Sequence, residues 1–293
     1  MDTFVRFWGT RGSIPTPGHK TRRYGGNTSC VEVRVNDLLF ICDGGTGLRE
    51  LGLDLQERAP DGVEAHFLFS HMHWDHIQGF PFFVPAYTEK NKLNVYEVTA
   101  GETRVQRLLH RQMQSEYFPV SFSDLGASIC AGHFTDGELA LPGVRVRCLE
   151  QPHPGRSFAF SFEASGKKIV YATDSELDLT IVNADQARRD SRSLRILPPE
   201  IVAFVAGADL LIADGQYTDD EYAQRIGWGH ASAHSVVDLA VQAGVKQCAV
   251  FHHDPMQSDE AVDAKIQSCR ERAQSHGSEL TLFGAREGVE LKF

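Results

Sequence analysis

Residues 70–80 read SHMHWDHIQGF. Three histidines and an aspartate, His71, His73, Asp75 and His76, fall within six positions. They follow directly on the apolar run EAHFLFS (64–70), which reads as a buried strand. Ligands in layered α/β proteins gather where strands end. Side chains alternate along an extended turn, so His71 and His73 point the same way. Asp75 and His76 then address a second point nearby. A single metal site uses three or four donors. Four donors from one loop, with more downstream, suit two metals better than one.

The downstream donors share that setting. His153 lies in EQPHPG, just after the strand-like VRVRCLE. Asp174 ends KKIVYATD, and His252 follows VKQCAVF. Each comes after a β-type run, so one rim of the sheets can collect all seven residues. Isolated histidines such as His66 and His133 have no such company and read as plain surface or core residues.

The totals agree with a folded protein. The chain has 293 residues, 42% hydrophobic and 23% charged, which excludes a disordered chain. The formal net charge of −10 argues against a molecule built as a whole to sit on polyanions. No run approaches the ~20 apolar residues of a membrane helix, and MDTFVRFWGTRGS lacks a signal-peptide pattern. The six cysteines form no C-x-x-C pair and mostly sit in strand-like runs. They read as buried free thiols, so the expected location is the cytoplasm.

Organisation follows from periodicity. FVRFWG, SCVEVRV, DLLFICD and EAHFLFS are short strands. LRELGLDLQER (48–58) and TRVQRLLHRQM (103–113) are helices. VRVRCLE, SFAFSFEA and KKIVYATD are strands again, and 176–197 reads as an exposed polar excursion. PPEIVAFVAG, AHSVVDLAVQAG and DEAVDAKIQSCRERAQ are helices around the strands DLLIADG and VKQCAVF. The expectation is one layered α/β domain over 1–293.

The motif SHMHWDH, with its downstream partners, resembles the metallo-β-lactamase fold superfamily over nearly the whole chain. That resemblance implies a four-layer αββα sandwich with a two-metal site between the sheets. It implies that His71, His73 and His153 hold one metal, that Asp75, His76 and His252 hold the other, and that Asp174 bridges them. His253 competes with His252. The family's final H-x-[S/D] motif matches His252-His253-Asp254 and selects His252. Asp43 in FICDGGTGL is similar to the family's buried aspartate beneath the metal loop, which steadies that loop by hydrogen bonds. All seven ligands are N or O donors. Such a set implies zinc first, with manganese or iron as alternatives.

GHAS (229–232) in GWGHASAH resembles the histidine motif of the superfamily's phosphodiesterase branch, which includes tRNA 3′-processing endonucleases and cyclic phosphodiesterases. His230 would then stabilise phosphoryl charge or protonate the leaving oxygen, while Asp75 would be both ligand and proton acceptor. Ser232 and Ser235 also read as helix caps, and His234 as structural. The openings WGTRGSIPTPG and YGGNTSC are similar to this branch too. The departures are a missing basic arm, and Ala231-Ser232-Ala233 after His230, which leave the histidine without a local acidic partner. The expected activity is therefore hydrolysis of a cyclic nucleotide or similar small phosphodiester. The alternatives are an RNA-processing nuclease, or a lactonase or thioesterase. Nucleic acid is not the favoured partner, no membrane is expected, and a homodimer is compatible. Arg22, Arg23, Arg104, Arg107 and Arg111 stay open between substrate contact and solvated surface. The stretch 115–122 stays open between lid and packing.

Overall fold

A computed structural model describes residues 3–98 and 104–293, with the side chain of Arg104 outside that description. The strands are β1 (Thr3–Gly9), β2 (Cys30–Val35), β3 (Leu38–Cys42), β4 (Glu64–Leu68), β5 (Lys92–Glu97), β6 (Ser128–His133), β7 (Glu138–Leu141), β8 (Val144–Gln151), β9 (Ser157–Ala164), β10 (Lys167–Ala172), β11 (Leu210–Asp214), β12 (Gln247–Phe251), β13 (Thr281–Gly284) and β14 (Glu290–Lys292). They form two seven-stranded sheets, ordered β14-β1-β2-β3-β4-β5-β6 and β13-β12-β11-β10-β9-β8-β7. The helices are α1 (Gly47–Arg58), α2 (Trp74–Ile77), α3 (Arg104–Gln112), α4 (Ala184–Arg189), α5 (Pro199–Val205), α6 (Asp219–Tyr222), α7 (Ala233–Gln242) and α8 (Asp259–Ser275).

Alternation along the strands explains the layers. Val5 and Phe7 of β1, Ile169 and Tyr171 of β10, and Leu210 and Ile212 of β11 meet in the core between the sheets. Their outward neighbours Val170, Leu211 and Ala213 pack under α5 and α7, against Phe204, Val236 and Leu239. On the other side, Ile41 and Phe67 pack under Leu48, Leu51 and Leu55 of α1. Strands covered on both faces read as continuous apolar runs rather than alternating ones. The result is the four-layer αββα sandwich expected.

Each sheet is antiparallel on one side and parallel on the other. β3, β4, β5 and β6 run parallel, as do β10, β11, β12 and β13. The carboxyl ends of β3 and β4 face those of β10, β11 and β12 across the sandwich, and ligand positions in α/β sheets form outside such ends.

The segment 176–197 departs from the sequence expectation. Its middle is exposed, but Glu176, Leu177 and Leu197 are buried. Arg195 is not plain surface: its Nη1 donates to Ser232 Oγ and, at 2.9 Å, to Ser235 Oγ. Arg272 of α8 ties down the far end by donating to the backbone oxygens of Ser191 and Ser193 at 2.9 and 3.0 Å. The same guanidinium grips Asp238 of α7 through two bonds of 2.6 Å. Arg23 is exposed but pairs at the surface with Asp263 of α8 at 2.6 Å. Arg22, Arg107 and Arg111 are exposed. In 115–122, Phe118 packs edge-on against Phe82, whereas Tyr117 is exposed. All six cysteines are free. No helix among the described residues is long and apolar enough to cross a membrane.

Removing one partner of a buried ion pair leaves an uncompensated charge and costs about 3–5 kcal/mol. Arg272→Ala should therefore lower stability to urea by about that amount. Limited proteolysis should find new cleavage within 185–194, because the variant also releases the Ser191 and Ser193 carbonyls. A variant with an unchanged urea midpoint would show that the pair does not hold this segment.

Candidate metal centre and reaction site

The loop after β4 brings its donors to two points. His71 and His73 lie in extended chain. A single helical turn starting at Trp74 then swings Asp75 and His76 round to the other side. His71, His73, His153 and Asp174 form one group of facing donor atoms, all within 4.8 Å of one another. Asp75, His76, Asp174 and His252 form a second group on the same criterion, so Asp174 is common to both. His76 Nε2 lies 3.2 Å from Asp75 Oδ2 and 3.3 Å from Asp174 Oδ1. His252 Nε2 lies at the same two distances from the same two oxygens. His71 Nε2 is 3.6 Å from Asp174 Oδ2.

This donor set fits divalent cations. The Nε2 atoms of His71 and His76 are buried and have no hydrogen-bond partner. Leaving such atoms unsatisfied is costly unless something is bound there. Among the described residues, Asp75 and Asp174 pair with histidines and with no lysine or arginine. Burial disfavours a charged His76, yet Asp174, Asp75 and Asp43 outweigh it and raise its pKa well above the usual value. Burial and the charge of His76 hold His71 neutral, its ligating form. Burial opposes ionisation of Asp174, but His252 and His76 outweigh it and lower its pKa well below the usual value.

A second ring of contacts aims these donors. His76 Nδ1 donates to Asp43 Oδ2 at 2.8 Å, His252 Nδ1 to Gln216 Oε1 at 2.8 Å, and His153 Nδ1 to the Gly229 carbonyl at 2.9 Å. Each bond turns the ring so that Nε2 faces the cluster. Asp43 is fully buried and also accepts from Ser70 N at 2.7 Å, Ser70 Oγ at 2.8 Å and Tyr171 Oη at 2.6 Å. Asp43, Asp174 and His252 have positive φ, 61°, 51° and 58°. Sparsely populated backbone of this kind concentrates at functional sites. His253 faces away, with Nε2 donating to the Ala285 carbonyl at 2.9 Å.

The N-terminal Gly-rich loop closes the site. Ser13 N donates to Asp75 Oδ2 at 2.7 Å. A Cβ on Gly12 would stand 2.5 Å from the His252 ring, so only glycine fits there. Arg11 is fully buried and anchors the loop by donating to the carbonyls of Gly25, Asp254 and Gln257.

His230 does have an acidic partner, contrary to the sequence expectation. Asp214 ends β11, and its Oδ2 accepts from His230 Nδ1 at 2.8 Å. His230 Nδ1 also lies 3.8 Å from Asp174 Oδ2. Burial lowers the pKa of His230, but the charge and hydrogen bond of Asp214 outweigh it and raise it to about 9. The loop before His230 is held by Glu176, which accepts from Gly227 N at 2.6 Å and Gly229 N at 2.7 Å. Ser232 caps α7, and Asp178 accepts from Ser232 N at 2.8 Å. His234 is structural, bonded to Asp219 and Ser268. Asp214, Glu176 and Asp178 were not picked out from sequence. Only Asp214 carries a readable signal: the apolar run DLLIAD closes on an aspartate just as KKIVYATD does.

Fold and site together define a metal-dependent hydrolase of the metallo-β-lactamase fold. The chain belongs to the beta-lactamase superfamily, whose domain pattern matches residues 40–253. It is 26% identical over 295 residues to a ribonuclease Z of Methanosarcina mazei, an alignment covering 87% of this chain and 89% of the relative. The fold is shared with the metallo-beta-lactamase fold protein YhfI from Bacillus subtilis, at a TM-score of 0.67 and 18% identity, covering 100% of this chain and 99% of that one. It is also shared with human tRNase Z, short form, at a TM-score of 0.65 and 17% identity, covering 99% and 98%.

Asp43→Asn keeps the volume of the side chain but removes an acceptor beneath His76. Metal affinity, read by competition with a chromogenic chelator, should fall about 10–100-fold, the usual effect of losing such a support. Unchanged affinity would show that His76 is aimed without Asp43.

Proposed function

We propose that this chain is a two-metal phosphodiesterase that cleaves RNA. The observation that carries the reading is the Asp214–His230 pair, set 3.8 Å from the shared Asp174 at the edge of the two donor groups. A histidine there suits a leaving alkoxide. The curated relatives named ribonuclease Z support RNA over the small cyclic phosphodiester expected from sequence. The net charge of −10 favours the smaller substrate and keeps it as the second reading.

His71, His73 and His153 would hold one cation and Asp75, His76 and His252 the other, with Asp174 between them. Zinc suits this set best, and manganese or iron are also compatible. Divalent cations bound there supply Lewis acidity at phosphorus and a more acidic water. The residues do the rest. Asp75, steadied by Ser13 N, is placed to take up a proton. Asp214 fixes the tautomer of His230 through Nδ1, leaving Nε2 to deliver a proton to the departing oxygen. The buried walls keep bulk water from competing with these contacts.

Elemental analysis after reconstitution should give two metal equivalents per chain. Asp174→Ala should lose both, since its carboxylate serves both donor groups. One equivalent or fewer in the parent protein would overturn the two-metal reading.

His230→Ala should retain its metals but slow cleavage of ribose esters about 10²–10⁴-fold. A nitrophenolate leaves unaided, so nitrophenyl diesters should lose less. Asp214→Asn should show the same contrast more weakly. Equal losses on both substrates would remove the proton-donor role. In a panel of a tRNA precursor with a 3′ extension, cyclic nucleotides and lactones, the RNA should have the highest kcat/KM. Turnover of lactones with none of any diester would overturn phosphodiester chemistry.

A further inference from the structure

The chain has three tryptophans, and they behave oppositely. Trp8 is 8% exposed, and its indole N–H donates to Glu32. Trp74 and Trp228 are 76% and 63% exposed. Both adjoin the reaction site. Trp74 stands between His73 and Asp75 in the donor loop. Trp228 precedes Gly229, whose carbonyl accepts from His153, and His230 follows. His153 and His73 are themselves in contact, with Nε2 3.2 Å from Nδ1. The path Trp74–His73–His153–Gly229–Trp228 therefore crosses the first donor group with an exposed indole at each end.

We infer that Trp74 and Trp228 are stacking platforms for bases of single-stranded RNA on the two sides of the scissile phosphate. The inference rests on the phosphodiesterase reading above and names how that site holds its substrate. Every base has a π face, so stacking on aromatic side chains binds single strands without demanding a sequence. The surroundings of each indole fit that use. Arg225 lies 6.0 Å from the Trp228 ring and 5.1 Å from the Tyr217 ring, placing a cation beside the platform where a backbone phosphate would pass. Beyond Trp74 the surface continues as a cleft of about 590 Å³, lined by Phe82, Leu108, Arg111, Tyr117 and Phe118. It again combines aromatic faces with one guanidinium, with the carboxylate of Glu116 also in the lining. Base stacking and local cations bind RNA without a strongly basic surface, which reconciles an RNA substrate with a net charge of −10.

The test compares kcat/KM for an oligoribonucleotide with that for methyl p-nitrophenyl phosphate, which has a diester but no base. Trp74→Ala and Trp228→Ala should each lower the RNA-to-small-diester ratio about 5- to 150-fold, the range for losing one stacked base. Trp74→Phe and Trp228→Phe keep a π face and should restore most of the ratio. Abasic residues flanking the cleavage site should lower the ratio for the parent protein and add little further loss in the alanine variants, because both changes remove the same contact. Parent protein that cleaves RNA, with an unchanged ratio in the alanine variants, overturns the stacking role alone. Losses that fall equally on both substrates and are not restored by phenylalanine also overturn it. Parent protein that cleaves the small diester but no RNA overturns the RNA reading, and the stacking role with it.

Discussion

Two buried carboxylates without a lysine or arginine set the terms for the rest of this protein. Asp75 and Asp174 are 6% and 1% exposed, and among the described residues histidine rings are their ion-pair partners, with Ser13 N and Thr173 Oγ1 adding one hydrogen bond to each. A buried carboxylate has to be paired, protonated or bound to metal. Here the surrounding histidines keep Asp174 ionised, so pairing with cations is the outcome the structure favours. The fold supplies the means. Strand ends converge from both sheets, and each contributes a donor that its own strand could not place alone.

Asp43 is where the two sheets become one site. It follows β3 of the first sheet, yet it accepts from Tyr171 of β10 in the second, and from Ser70 and His76 of the donor loop. One carboxylate thereby fixes the spacing of the sheets and the orientation of a ligand. Interiors are close-packed and transmit displacements, so a shift of one sheet would be felt directly at His76.

The donor residues were legible because they are dense and punctuated. H-x-H-x-D-H at a strand end has few structural uses, and His153, Asp174 and His252 each stand at a similar boundary. Their bringing together follows from the sandwich. The strands β5, β6, β7, β13 and β14 were not read; β7, β13 and β14 span four residues or fewer, and β14 pairs with β1 at the far end of the chain. Glu176 and Asp178 were hidden for another reason. A single carboxylate in a polar stretch looks the same whether it faces water or a buried amide. Glu176 and Gly229 are 53 residues apart, and only the folded chain reveals their bond.

The same reasoning changes the meaning of the polar segment 176–197. Charge suggested surface, but its two ends form a chain of polar contacts reaching the reaction site. Arg272 holds Asp238, and Asp238 Oδ2 accepts from Arg195 N at 2.8 Å. Arg195 reaches Ser232 and Ser235, and Asp178 binds Ser232 from the other side. Ser232 caps the helix that begins just after His230. Glu176 holds the two glycine amides before it. His230 is thus clamped on both flanks by one excursion, while Asp214 fixes its ring. A proton donor must be held to a fraction of an ångström, and loops do this poorly unless supported. The polar segment is that support. Besides lending Leu177 and Leu197 to the core beneath α5 and α7, the stretch between β10 and β11 thus serves the site.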